Sequence, residues 1–495
     1  MGEAVDARSV GLCSGPRLRR LLGEMAGKRV TLMGLGLFGG GEGAAQFLVA
    51  RGAELTITDL RGPERLAAPL KRLSSVPARY RLGGHDLADF AEADLVVANP
   101  AVPRTNSHLH VAEDAGVSIT SPLNMFLTLC PAPIAAVTGS NGKSTTAAML
   151  AAMLEASGRK VWLGGNIGVS LLPSLSRIGS YDLIVLEMSS FQLADAGALS
   201  WSPHVAVVTN VTPNHLSWHG GFEQYATAKR HIVDFQTERD FAVLNGHDAV
   251  SQGWLSQGLP GKEIFFAGDG GPGGLRQGMN LFADRLVWRE GRQDHVVCHR
   301  DEVPVLGYHN VENAMAAATA ARCLGADWGS IRKALHSFLG LAHRLELVGE
   351  FNGTRFYNDS NSTTPEATVA ALAGFAGPRV LIAGGYDKLL DMAPVARAAA
   401  ASAEVLITLG QTGPALAQKT RQESVCAGRT VVVREVGSLG EAVAAAVELS
   451  MPGMVVLFSP ACASYDMFEN YRERGDAFKS LVKDHFRQGR RSRRA

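Results

Sequence analysis

Short apolar runs, each closed by a polar or glycine turn and followed by helix-forming residues, recur along most of this chain. Runs at 28–33, 54–58, 94–98, 133–137, 181–186 and 204–208 read as buried strands, and 42–51 and 147–156 read as helices that follow glycine turns. Residues 226–230 lie on a further helix, the Gly-rich stretch 268–278 predicts hairpin loops, and 307–313 enters an Ala-rich helix. Beyond 341, runs at 355–357, 380–382, 405–409, 430–433 and 455–458 again alternate with helices. The repeated order of strand, turn and helix predicts an α/β protein with parallel sheets.

A chain of 495 residues exceeds what one core can organise and implies about two to four domains. The stretch 121–131 reads as a passage between two of them, and no long linker or repeat intervenes elsewhere. The expected division is a Rossmann-like domain over 1–130, a phosphate-loop ATPase domain over 131–340, and a second Rossmann-like α/β domain over 341–495.

Charge narrows the range of partners. The 48 basic residues nearly cancel 47 acidic ones, so nothing calls for nucleic acid or an anionic membrane. Six scattered cysteines with no C-x-x-C pair argue for free thiols in a reducing compartment and against a zinc site. Residues 1–20 lack an apolar core of signal-peptide length, and no stretch approaches the roughly 20 apolar residues of a membrane span. A cytoplasmic protein is expected. The arginine-rich end, 487–495, reads as a solvated, disordered tail.

The strongest chemical signal follows the run at 133–137. Thr138-Gly139-Ser140-Asn141-Gly142-Lys143-Ser144-Thr145 is a glycine loop between a strand and a helix. Such a loop turns backbone N–H groups towards one point, and the helix N-terminus adds partial positive charge. Lys143 is placed for the outer phosphates of a nucleotide and the Ser144 hydroxyl for Mg²⁺. The strict phosphate-loop pattern has glycine where Val137 stands, so this is a variant of it. A second glycine turn, Gly34, Gly36 and Gly39, precedes a helix and then a strand ending at Asp59, the layout of a nucleotide-binding β-α-β unit. Taken alone, that turn suits either NAD or a nucleotide sugar. Glu187 closes the run at 181–186, and His215 follows the run at 204–208. Polar groups at adjacent strand ends beside a phosphate loop point to a magnesium site.

The order of T-G-S-N-G-K-S-T, G-G-N-I-G (164–168), E-M-S-S-F-Q-L (187–193), N-V-T-P-N-H (210–215), H-N-V-E-N (309–313), H-R-L-E (343–346), N-D-S (358–360) and S-P-A-C-A-S (459–464) resembles the Mur ligases over nearly the whole chain. Two of these elements, E-x-S-S-F-Q-L and S-P-A-C-A-S, resemble the branch that adds D-glutamate. The resemblance implies ATP-driven amide formation on UDP-N-acetylmuramoyl-L-alanine in peptidoglycan synthesis, with ATP and Mg²⁺ as cofactors, by a monomer acting on small molecules. It implies that Lys143 and Ser144 hold ATP phosphates and the first Mg²⁺, with Glu187 and His215 as further metal ligands. Lys229 matches the family's carbamylated lysine, whose CO₂ adduct would serve a second Mg²⁺, since an unmodified ammonium has no lone pair to offer. Asn310 and Asn313 would meet adenine, with Arg344 and Asp359 on the nucleotide. Gly36, Leu37, Phe38, Asp59 and Arg61 would hold the UDP end, and Asn166 the substrate near the phosphates. His343, Thr363, Lys388, Ser464 and Tyr471 would surround the amino acid. Asn361 stands where many members have lysine, and Asn214 where an aspartate often precedes the metal histidine. The first departure leaves D- versus L-glutamate open. A ligase for another amino acid or for folate, and a non-catalytic nucleotide-binding protein, are the rival readings.

Overall fold

The computed structural model describes residues 9–36, 39–167, 170–214, 216–268, 277–305 and 307–492. Its strands form three sheets. Strands β1 (Arg29–Met33), β2 (Glu54–Asp59), β3 (Arg79–Leu82), β4 (Leu95–Ala98) and β5 (Ser118–Thr120) are parallel, in the order 3-2-1-4-5. The order reverses between β1 and β4, which opens a crevice at their carboxyl ends, where the Gly34 turn and Asn99 lie.

The second sheet comprises β6 (Ile134–Thr138), β7 (Val161–Gly165), β8 (Leu183–Glu187), β9 (Val205–Val208), β10 (Phe241–Asn245), β11 (Lys262–Ala267), β12 (Gly278–Phe282), β13 (Arg285–Glu290) and β14 (Gln293–His299). Its order is 14-13-12-11-10-9-6-8-7, parallel from β7 to β12 and antiparallel at β12–β14. Every residue of β6, β8 and β9 is buried, which is why the sequence shows them as unbroken apolar runs.

The third sheet comprises β15 (Glu346–Phe351), β16 (Thr354–Asn358), β17 (Arg379–Ala383), β18 (Val405–Thr408), β19 (Val432–Glu435) and β20 (Val455–Phe458), in the order 15-16-20-17-18-19. Only β15 runs antiparallel to its neighbour. Alternate residues feed separate cores: Leu381, Leu406 and Leu457 pack on one face, Ile382, Ile407 and Phe458 on the other.

By compactness the chain divides into two units, Met1–Pro304 with Tyr308–Phe338, and Leu339–Ala495 with Val305–Gly307. In the first, one continuous apolar cluster joins Leu18, Leu32 and Phe126 to Ile134, Leu186 and Ile232. A buried ion pair, Arg104 Nη2 to Asp195 Oδ2 at 2.5 Å and Nε to Oδ1 at 3.1 Å, reinforces that junction, and Asn124 Nδ2 donates to the Asp195 carbonyl at 2.8 Å.

Several features differ from expectation, and β3, β5, β7, β10 and β11 have no counterpart among the expected runs. Strands β13, β14 and β15 carry too many polar residues to stand out as apolar runs, because each lies at or next to a sheet edge. The expected strand at 430–433 is shifted to β19, an edge strand with no fully buried residue to fix its register in the sequence. Of the stretch 487–495, expected to be disordered, the described residues up to Ser492 continue the helix Tyr471–Ser492, in which Phe478 and Val482 are buried against the third sheet. The hairpin loops expected within 268–278 fall mostly outside the described residues, as do Leu37, Phe38 and His215.

Candidate active site

The phosphate loop sits between β6 and the helix Lys143–Ala156, with β6 flanked in the second sheet by β9 and β8. Gly142 has φ 83°, and a Cβ there would run into the Asn313 amide. A side chain on Gly139 would likewise strike the Thr209 hydroxyl, so both glycines are required by close approach. The loop is braced from the end of β9: Ser140 N donates to Asn210 O at 2.8 Å, Asn141 N to Asn210 Oδ1 at 2.9 Å, and Thr209 Oγ1 to Asn141 O at 2.5 Å. Asn313, on the helix Tyr308–Cys323, accepts from Thr146 Oγ1 at 3.3 Å and donates to Asn310 Oδ1 at 3.0 Å. Asn310 and Asn313 therefore lie against the start of the loop's own helix.

Two lysines converge on one carbonyl. Lys143 Nζ donates to Gly139 O at 2.9 Å and Ser140 O at 3.0 Å, and Lys229 Nζ donates to the same Gly139 O at 2.9 Å and to Thr138 Oγ1 at 3.2 Å. Lys229 is only 1% exposed. Burial, with the Lys143 charge adding to it and Glu187 opposing, pulls its ammonium down to about 6. Its Nζ lies 4.9 Å from the centre of the Tyr225 ring, one helical turn earlier, and the Tyr225 hydroxyl bonds Ser140 Oγ at 2.8 Å. Tyr225 escaped the sequence reading. Its spacing of four from Lys229 on one helix was the available signal.

Glu187 ends β8, beside β6 in the sheet, where Val137 pairs with it. Its Oε1 accepts from Asn166 Nδ2 at 2.7 Å, while Oε2 is buried with no protein partner among the described residues. Such an orphaned oxygen suits a cation. Behind it, Ser189 and Gln192 form a capping box at the start of the helix Ser190–Gly197, and His219 bonds Ser190 Oγ at 2.9 Å while stacking on Phe191.

The Gly36 and Asp59 set lies at the edge of the first sheet. Asp59 is 3% exposed, and its carboxylate accepts from Gly36 N at 3.3 Å and Arg61 N at 2.9 Å, so it shapes the glycine turn directly. Among the described residues no hydrogen bond joins this set to the phosphate loop.

In the C-terminal unit, the ends of β16, β20 and β17 are neighbours. His343 and Leu345 are left-handed, with φ 64° and 44°. That strained turn is held by His343 N to Glu346 Oε2 at 2.8 Å and Leu345 N to Asp359 Oδ1 at 3.1 Å. Asp359 Oδ2 also accepts from Ser362 Oγ at 2.6 Å and Ser459 Oγ at 2.7 Å, yet burial outweighs these bonds and raises its carboxyl to about 6. The His343 ring meets Tyr471 edge-on at 6.1 Å. Lys388 lines a small cavity with Tyr386, Thr412, Ala461 and Cys462, which brings the 384–388 and 459–464 stretches together. Arg344 acts on Asp359 through its charge, Ser464 is buried beside this edge, and Thr363 is half-buried on the loop after β16.

Comparison with known proteins agrees with this geometry. Residues 28–121 match the Mur ligase MurD-like N-terminal domain, 137–321 the Mur ligase middle domain and 343–462 the Mur ligase glutamate ligase domain. The chain is 41% identical over 464 residues to the UDP-N-acetylmuramoylalanine–D-glutamate ligase of Roseiflexus sp. (strain RS-1), covering 93% of this chain and 99% of that protein. It belongs to the Mur ligase family. A second Mur ligase, the UDP-N-acetylmuramoylalanine–D-glutamate ligase of Symbiobacterium thermophilum, is 37% identical over 92% of this chain and 98% of its own length. Among solved Mur ligases, UDP-N-acetylmuramate-alanine ligase from Thermotoga maritima superposes with TM-score 0.58 at 19% identity, over 92% of this chain and all of that one (100%). MurF from Acinetobacter baumannii gives 0.58 at 16% identity, over 96% and 100%. These two show the shared three-domain α/β fold.

Proposed function

We propose that this chain is an ATP-dependent ligase that joins D-glutamate to the alanyl carboxyl end of UDP-N-acetylmuramoyl-L-alanine in peptidoglycan precursor synthesis. The convergence of Lys143 and Lys229 on the Gly139 carbonyl, with the unpartnered Glu187 oxygen at the neighbouring strand end, carries the reading. The substrate carboxylate attacks the γ-phosphorus of ATP, the bond to the bridging oxygen breaks, and ADP leaves. The glutamate amine then attacks the acyl phosphate carbon, inorganic phosphate departs and the amine loses a proton. The task is to gather several polyanions and keep water from the acyl phosphate. Lys143 and the loop N–H groups neutralise and orient the phosphates.

The donor set among the described residues fits Mg²⁺: Glu187 Oε2 and the Ser144 hydroxyl would be hard oxygen ligands and the CO₂ adduct of Lys229 would add two oxygens, with His215 assigned as a further ligand. Bound there, the metal would neutralise charge on the transferring phosphate. Thr138 to Thr145, Asn310, Asn313, Arg344 and Asp359 are assigned to ATP, Gly36, Leu37, Phe38, Asp59, Arg61 and Asn166 to the UDP substrate, and His343, Thr363, Lys388, Ser464 and Tyr471 to the amino acid. On this reading 1–130, 131–340 and 341–495 are the UDP-substrate, ATP and amino-acid domains of a cytoplasmic monomer. No helix of the described residues is long and apolar enough to cross a membrane.

The deciding experiment follows ADP release from the purified protein with UDP-N-acetylmuramoyl-L-alanine and either D- or L-glutamate. Release that requires the sugar peptide, ATP and D-glutamate together supports the assignment. ADP release indifferent to the amino acid, or favouring L-glutamate, refutes it. Lys143→Ala is expected to lose at least about a thousandfold in rate while still binding the UDP substrate.

A further inference from the structure

Arg474 is the bulkiest of the fully buried side chains among the described residues, at 2% exposure. Its Nε donates to Ser360 Oγ at 3.0 Å, Nη2 to Ser360 O at 2.9 Å and Nη1 to Ala463 O at 3.1 Å, and none of these acceptors carries a charge. Asp466 acts on it only through space, its own Oδ2 being bonded to Gln411 N at 3.3 Å. Burial lowers the guanidinium to about 10, so it is a full cation at neutral pH. Ser360 follows β16, Ala463 follows β20, and a Cβ on Gly385, beyond β17, would lie 3.3 Å from Nη1. Arg474 thus touches the turns at the carboxyl ends of three adjacent parallel strands, the edge at which open α/β sheets take ligands. All three of its hydrogen bonds go to neutral acceptors and Asp466 offsets its charge only through space, so an anion arriving at that edge adds to the offset.

We propose that Arg474 is a positioning residue: its rigid fork holds the 360 and 463 turns in the arrangement that receives the amino-acid substrate, and its charge, bonded only to neutral acceptors, favours a substrate bearing two carboxylates. The inference rests on the ligase reading above. Arg474→Lys keeps the charge and loses the fork, and Arg474→Met loses both. Loss of one charge-assisted fork bond is expected to raise the KM for D-glutamate about tenfold in Arg474→Lys, and further in Arg474→Met, with KM for ATP and for the UDP substrate within about twofold of wild type. Guanidinium ion added to Arg474→Met should restore part of the lost glutamate affinity. Should either variant fail to fold, Ser360→Ala decides, since it removes one acceptor and leaves the cation in place, and a glutamate-selective KM rise of about threefold is expected. A glutamate KM unchanged in the folded variants, or all three KM values rising together, overturns the proposal. Wild-type protein that releases no ADP with D-glutamate refutes the ligase reading itself, before any variant is compared.

Discussion

Individual side chains here are held by burial as much as by bonding. Asp359 accepts three hydrogen bonds, yet its carboxyl is raised to about 6, because desolvation outweighs Ser362, Ser459 and Leu345 N–H together. The folded chain therefore holds this proton more tightly than the unfolded chain. That stabilisation is complete below about pH 4 and is lost as pH rises through about 6. Wild type should gain up to about 3 kcal/mol on Asp359→Asn as pH falls from 7.5 to 4, read by denaturant titration of both proteins. A stability difference that stays flat across that range rejects the assignment. At Gly142, substitution by alanine forces a side chain against Asn313 at a φ of 83°. Gly142→Ala is expected to reduce nucleotide affinity at least about tenfold, with calorimetric titration of an ATP analogue as the measurement.

Elements place these groups by simple periodicities. One helical turn puts the Tyr225 ring beneath the Lys229 ammonium, and the same helix, Phe222–Asp234, buries Ile232 and Val233 in the core that carries β6. Replacing Lys229 by alanine should leave that packing intact while crippling ligation, and a small added carboxylate should restore part of the rate. Full activity in Lys229→Ala would remove it from the metal site. The Arg104–Asp195 pair ties the turn that follows β4 to the helix Ser190–Gly197. Burial raises the Asp195 carboxyl in spite of Arg104, so the pair stands near the balance between desolvation and attraction. Asp195→Ala strands a buried guanidinium and should cost about 3–5 kcal/mol, whereas Arg104→Met with Asp195→Leu should fall within about 1 kcal/mol of wild type. Equal losses in the single and double variants contradict this account.

At the scale of the whole molecule, the first two sheets share a continuous core and the third sheet has its own. Unfolding should therefore pass through two transitions in scanning calorimetry. Asp195→Ala is expected to lower the transition of the first unit and leave that of the second in place. A single cooperative endotherm displaced as a whole would show that the two cores do not melt independently.

Sequence alone determined the three-domain α/β class, the family and about half of the strands, because parallel strands buried on both faces leave unbroken apolar runs, and glycine turns with polar neighbours mark their carboxyl ends. Lys143, Glu187 and Asp59 were legible for that reason, each standing beside such a run. Edge strands such as β13 and β19 were not, since half-exposed strands dilute the apolar signal. Tertiary structure alone decided which distant groups meet. Lys229 and Lys143 share one carbonyl although 86 positions apart, and Arg474 reaches Ser360 across 114. The physical reason is that burial, which shifts the protonation of Lys229 and Asp359, is a property of the packed interior and has no counterpart in the order of residues along the chain.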